Sequence, residues 1–287
     1  MTRMRLLLPL VAGLLLVPAA ACAKAAGDQP GDTGSTGSYA ADAAVIQATY
    51  VGGFVPAEHN VTRLPLVAVY GDGRVITEGP QIAIYPGPAL PNVLVQKISP
   101  KDVDKLVKKA LDAGVGTATD FGQPPIADAP STKFRVLSAS GEKVTEVYAL
   151  GEADGNGLTE AQVKARQKLK KLLDDLTNLK ATLGEDAVGK EEPFRPAALA
   201  AVARPWQADA SGVGPQPDVA WPGPQLPGKP IGQLDMGCVT VTGDALTATL
   251  KAAEKANAIT PWTSGGKKWL ISFRPLLPDE AGCDDLA

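Results

Sequence analysis

The order of apolar and polar positions divides the chain into stretches of different character. From Ala43 to Leu150, short apolar runs recur between turn residues. Ala44 to Val51 is β-branched and apolar enough for a strand. Leu64 to Tyr70 and Arg74 to Thr77 flank Asp72-Gly73. Asp-Gly between apolar runs marks a hairpin, because both turn positions must accept positive φ. Asn92 to Ile98 reads as a further strand, and a second hairpin is expected from Phe134 to Leu137 and Val144 to Leu150, turning near Ser140-Gly141. Ser99-Pro100-Lys101-Asp102 opens a helix. Ser99 can cap it, Pro100 suits the first helical position, and Asp102 faces the positive end of the helix dipole. Val103, Leu106, Val107, Ala110 and Leu111 then make one buried stripe, which ends at Gly114 or Gly116.

A longer helix is expected from Glu160 to Leu183. Thr159 and Gln162 form a capping box, and Gly184 is the terminator. Ala165, Leu169, Leu172, Leu173, Leu176 and Leu179 supply its apolar stripe. Lys164, Arg166, Lys168, Lys170 and Lys171 crowd its first half. A helix lying on a membrane surface is one reading of that crowding. A solvated face balanced by Asp174 and Asp175 is the other, and the lack of aromatic anchors favours it. From Glu185 to Lys229 the periodicity collapses under repeated prolines, which deny donors to sheets and cannot sit inside helices. An extended crossing or linker is expected there, packed in places by Phe194, Trp206 and Trp221. The last unit reads as β-α-β. Cys238 to Thr242 is a strand, Asp244 caps a helix with Leu246, Leu250 and Ala253 on one face, and Lys268 to Arg274 is a strand with Trp269, Ile271 and Phe273 on one side. The expected fold is α+β: antiparallel hairpins with packed helices, plus this C-terminal β-α-β unit. Residues 43–184 would form the α+β domain, 185–230 the Pro-rich linker or crossing segment, and 231–287 a unit that is separate or part of the same domain.

The N-terminal segment has a different logic. Arg3 and Arg5 precede the apolar run Leu6 to Val17, then Ala19-Ala20-Ala21, then Cys22. A charged start, a short apolar middle and a small-residue exit make an export signal. The run is too short for a membrane span, which needs roughly 20 apolar residues. The segment resembles a bacterial lipoprotein signal, although Ala19 stands where that pattern usually has leucine. The resemblance implies that residues 1–21 are removed and that Cys22 carries lipid, palmitate included, on the extracytoplasmic face of the cell membrane. Ala19-x-Ala21 also suits ordinary signal cleavage, which would leave a secreted protein without lipid. Residues 22–42, rich in Ala, Gly, Asp, Ser and Thr, have almost nothing to bury and are expected to form a flexible tether. The run VYGDGRVITEG followed by ISPKDVDKLVKKALDAG resembles a module of uncharacterised bacterial exported proteins, and the Ala-, Gly- and Pro-rich composition resembles that of high-GC actinobacterial proteins. Both likenesses concern fold and source, and neither implies an activity.

Cysteine count adds to this picture. If Cys22 takes lipid, Cys238 and Cys283 remain as an even pair in an oxidising compartment. A disulfide between them is one expectation, two buried thiols the other. Removing Arg3 and Arg5 with an acid-free signal moves the formal net charge from −3 to −5. Such a chain is a poor non-specific ligand for nucleic acid, and none is expected as a partner.

The catalytic inventory is thin. His59, in GFVPAEHN, is the only histidine, so multi-histidine metal sites are excluded and no G-x-S-x-G motif accompanies it. The glycine-rich GEADGNG (151–157) carries two acids but lacks the spacing and terminal glutamate of a calcium loop. No catalytic residue, metal or cofactor is therefore assigned. Trp206, Trp221 and Trp262 each adjoin proline or a turn, which makes them candidate contacts for an envelope protein or polysaccharide. Trp269 is expected in the core. The expected role is non-catalytic binding or scaffolding at the cell envelope. A hydrolase using two unidentified carboxylates is the alternative.

Overall fold

The computed structural model describes residues 39–208, 211–232 and 235–286. The signal-like segment, Cys22 and most of the tether lie outside them. The chain is α+β, and its strands form two sheets.

The first sheet begins with β1 (Ala44–Val51), followed by the short helix α1 (Ala57–Thr62) and the hairpin β2 (Val67–Tyr70) and β3 (Arg74–Glu78). The Asp72-Gly73 turn forms as expected. Gly73 has φ of +86°, and a Cβ there would stand 2.1 Å from the Ile98 carbonyl oxygen, so both backbone and space require glycine. β4 (Val93–Lys97) leads into α2 (Pro100–Asp112), where the Ser99 side chain accepts from the Asp102 N–H. The second hairpin is β5 (Ser131–Ser138) and β6 (Gly141–Tyr148). α3 (Glu160–Thr177) has the Thr159–Gln162 capping box. The expected single helix breaks at Asn178, whose φ of −127° leaves the helical region, and continues as α4 (Leu179–Leu183). The strand order is β6-β5-β1-β2-β3-β4-β7. One face of this sheet buries Val45, Phe134 and Val136 against the α2 stripe and against Leu169, Leu172 and Leu176 of α3.

The Pro-rich segment crosses between the sheets and also supplies strands that the sequence reading did not place. It supplies β7 (Glu192–Pro193) to the edge of the first sheet. It then crosses to contribute β8 (Ala198–Pro205), β9 (Val219–Ala220) and β10 (Lys229–Pro230) to the second. β8 pairs antiparallel with both β11 (Gly237–Thr242) and β13 (Lys267–Pro275), so it slots between the two long strands of the expected β-α-β unit. α5 (Gly243–Ala253) and β12 (Trp262–Ser264) connect them. Residues 185–230 are thus structural members of both sheets, not only a linker. The prolines of β7 and β10 sit on edge strands, where a missing N–H leaves no ladder bond unmade. α5 starts at Gly243 with Thr242 at the cap position and no side-chain cap bond, so Asp244 lies in the first turn and is not the cap.

Two further details correct the sequence reading. Residues 39–42, expected in the tether, belong to the folded body. Tyr39 packs on the first core, Asp42 pairs with Arg74, and the Ala41 and Ala43 carbonyls accept from the Asp72 and Gly71 N–H groups. His59, expected in a loop, is an exposed residue of α1.

The sheets meet at the β3–β4 loop, where the Ala89 N–H donates to the Ala256 carbonyl at 3.3 Å, and through the chain after β13. Leu277 packs with Leu64, Ala68, Tyr70, Ile76 and Val93 of the first sheet region, while Leu276 packs with Ala200, Val202 and Cys238 of the second. A polar network reinforces this strap. The buried Tyr70 hydroxyl donates to Asp279 Oδ1 at 2.7 Å, and Gln47 Nε2 donates to Asp279 Oδ2 at 3.3 Å. The buried Arg274 guanidinium pairs with Glu280, and Glu280 also accepts from the Leu277 N–H at 2.7 Å.

Candidate functional site

β8 ends at Pro205, and its ladder continues for one bond: the Trp206 N–H donates to the Lys268 carbonyl oxygen at 3.2 Å. This places the half-buried Trp206 at the end of a central strand. Lys268 Nζ lies 5.6 Å from the indole centroid, within cation–π range, and 2.8 Å from the Asp218 carboxylate. Around Trp206, Val213, Pro215, Gln216, Ile259 and Pro261 line a groove of about 300 Å³. Its Gln216 side chain is already engaged. Gln216 Oε1 accepts from Asn257 Nδ2 at 2.7 Å, and Gln216 Nε2 donates to the Gly214 carbonyl at 3.0 Å. The groove is therefore a pre-organised, largely apolar surface with a charged rim made by Asp218 and Lys268. Among its described lining residues no nucleophile stands beside a base, and the surface suits an apolar group inserted from outside.

The other two candidate tryptophans are core residues. Trp262 is 1% exposed and Trp221 is buried. Trp262 stands edge-on to Trp221 and Phe273, with centroids 5.7 and 5.5 Å away. The Trp221 Nε1–H is satisfied by the Pro224 carbonyl at 2.6 Å. Their neighbouring prolines and turns suggested accessibility, but those turns fold over the rings. Trp269 is buried as expected.

Cys238 and Cys283 form a disulfide with Cα atoms 5.9 Å apart. It joins β11 to the short 3-10 turn Cys283–Leu286.

The basic half of α3 contains one residue that is not on a solvated face. Arg166 is buried and donates to the carbonyls of Phe121 (3.1 Å), Tyr148 (2.7 Å) and Ala149 (2.6 Å). Burial pulls its pKa below the ordinary arginine value, and nearby Glu152 opposes that shift. Ala149 holds φ of +47°, and the arginine pins this turn. Lys164, Lys168, Lys170 and Lys171 are exposed. In the GEADGNG loop, Asp154 accepts from the Asn156 N–H, a turn-forming bond within the loop. Among the described residues, no group of three His, Cys, Asp or Glu side chains is arranged to hold a metal, and no helix is long and apolar enough to cross a membrane.

The groove could not be assembled from sequence. Its walls come from residues 206, 208, 213–216, 218, 259, 261 and 268, which carry no shared local pattern. No family model, curated protein or solved structure matches the chain.

Proposed function

We propose that this chain is a lipid-anchored protein of the extracytoplasmic membrane face that binds an envelope protein, without catalysis, through the Trp206 groove. The observation that carries the reading is the groove itself, a largely apolar trough beside a half-buried indole, in which Gln216, Asp218 and Lys268 are already paired within the fold. Such a surface favours an apolar side chain of a partner polypeptide over a sugar, whose hydroxyls need free donors and acceptors. The signal-like segment ending at Cys22, the net negative charge and the cysteine pair support the compartment.

The test is photo-cross-linking in cells from a reactive residue at Val213. Capture of a defined envelope protein, lost with Trp206→Ala in a protein that still folds, supports the reading. Recovery of glycan alone, or capture unaffected by Trp206→Ala, overturns the choice of ligand. Fatty-acid labelling abolished by Cys22→Ser tests the anchor separately. Absence of label from the wild type would favour the secreted form.

A further inference from the structure

At one end of the first sheet, two segments hold large apolar side chains in water. Phe54 is 88% exposed, Ile82 61%, Ile84 60% and Tyr85 59%. Phe54 follows β1, while Ile82, Ile84 and Tyr85 lie between β3 and β4. The strand register puts both segments at the same end, because Val51 and Glu78 finish their strands there and Val93 begins there. β1 and β3 are separated by β2 alone, so the segments emerge on the order of 10 Å apart. Neither residues 52–57 nor residues 79–92 contain a charged side chain.

These are not frayed tips. The Gly79 N–H donates to the Asn92 carbonyl at 2.8 Å, and Asn92 Nδ2 donates to the Pro80 carbonyl at 3.0 Å. The Ala258 N–H donates to the Gly87 carbonyl at 2.9 Å and the Phe54 N–H to the Asp128 carbonyl at 3.1 Å. The fold thus fixes a neutral apolar protrusion. Such a patch marks a docking surface.

We infer that this protrusion inserts into the interfacial layer of a lipid bilayer. The inference rests on the envelope location proposed above. The exposed tips themselves carry no charge; the charged groups beside them stand at the base of the segments, where Arg63 Nη1 donates to the Gly52 carbonyl at 3.2 Å and Glu78 accepts from Gln81 Nε2 at 3.3 Å. Pro80, Pro86, Pro88 and Pro91 have no N–H, which lowers the cost of taking this backbone out of water. Tyr85 is of the aromatic class that settles at membrane interfaces, and Phe54 adds apolar area of the kind that interfacial segments bury. The chain outside the described body is long enough. The described residues begin at Tyr39, beside the β2–β3 turn and so at the opposite end of the sheet. The chain from Cys22 to that point can extend at most about 60 Å, against roughly 26 Å for the length of β1. A lipid at Cys22 and the apolar tips can therefore share one bilayer.

The test uses residues 22–287 carrying Cys22→Ser, which cannot be lipidated, with vesicles of phosphatidylethanolamine and phosphatidylglycerol. Co-sedimentation should occur and should persist when salt rises from about 0.1 to about 0.5 M, since no charge drives it. Ile82→Asp with Ile84→Asp should weaken partition by roughly tenfold or more while leaving the thermal transition unchanged, and Phe54→Asp should weaken it less. No sedimentation of the parent, loss at high salt, or binding indifferent to these variants overturns the inference. None of those results bears on whether Cys22 is acylated, which the labelling experiment decides.

Discussion

The seven-stranded sheet closes over aliphatic side chains from two amphipathic helices, whereas the six-stranded sheet is centred on Trp221, Trp262 and Phe273. The first is built largely from neighbours in sequence: hairpins, capped helices and turns whose residues specify their own geometry. The second is assembled from separated pieces. β8 arrives from a proline-rich crossing to lie between strands about 40 and 70 residues further along the chain, and a disulfide closes the end. Local codes specify most elements of the first half, which the β1–β5 pairing then joins, whereas the central strand of the other half is itself placed only by long-range contacts.

Trp262→Ala strikes that contrast hardest. Truncating a fully buried tryptophan costs about 3–5 kcal/mol. Hydrogen exchange should show the loss first in β11, β12 and β13, with α2 and α3 still protected. Uniform loss of protection would mean that the two sheets unfold as one unit. Replacing Cys238 and Cys283 together by serine should cost about 2–4 kcal/mol, measured by urea unfolding, and reductant should no longer affect the variant.

Tyr70→Phe probes the join between the halves. Removing a buried hydroxyl's bond to a carboxylate should cost about 1–2 kcal/mol near neutral pH. Burial, then the charge of Asp279, raises the Tyr70 pKa well above its ordinary 10.0. A raised folded pKa means stabilisation that is fully present below pH 10 and declines above it, because the unfolded tyrosine ionises first. The stability gap between wild type and Tyr70→Phe should therefore narrow as pH climbs past about 10. A constant gap across that range would contradict the burial of this group.

The smallest effect belongs to the locally coded half. Ser99→Ala removes the bond to the Asp102 N–H and should cost about 1 kcal/mol by thermal unfolding. Lys105 and Ser99 also hold the Asp102 pKa below the ordinary carboxylate value. Stability from Asp102 is present above its unfolded pKa and is lost as pH falls through the lower folded one, and Ser99→Ala should blunt that acid limb.

The same division explains what the sequence disclosed. β1, both hairpins, the Ser99 cap and the Thr159 capping box were legible because each depends on residues within a few positions of one another. β8 was not, for two physical reasons. ALAAVARP is poor in β-branched residues, and a strand covered on both faces shows no alternation of polar and apolar positions. Alanines there leave room for α5 on one side and the strap after β13 on the other. The break at Asn178 was hidden because the leucine spacing carries on through Leu179. The disulfide pairing was legible by counting. At the candidate site the tryptophans were visible but not their burial, since burial depends on which distant turn covers each ring. Arg166 looked like one more surface base, although its three carbonyl partners lie 17 to 45 positions earlier in the chain.

Holding the chain at its N-terminal end while a partner grips the Trp206 groove turns the molecule into a mechanical link. Tension would enter at Tyr39, pass along β1, and leave at the end of β8 in the other sheet. Between them the load is shared by the strap after β13, through Tyr70–Asp279, Arg274–Glu280 and the packing of Leu276 and Leu277, and by the β3–β4 loop, which bonds to Ala256 and Ala258. The disulfide ties the far side of that strap back to β11. Under a pull it acts as a stop, so the strap can stretch without peeling away from the second sheet.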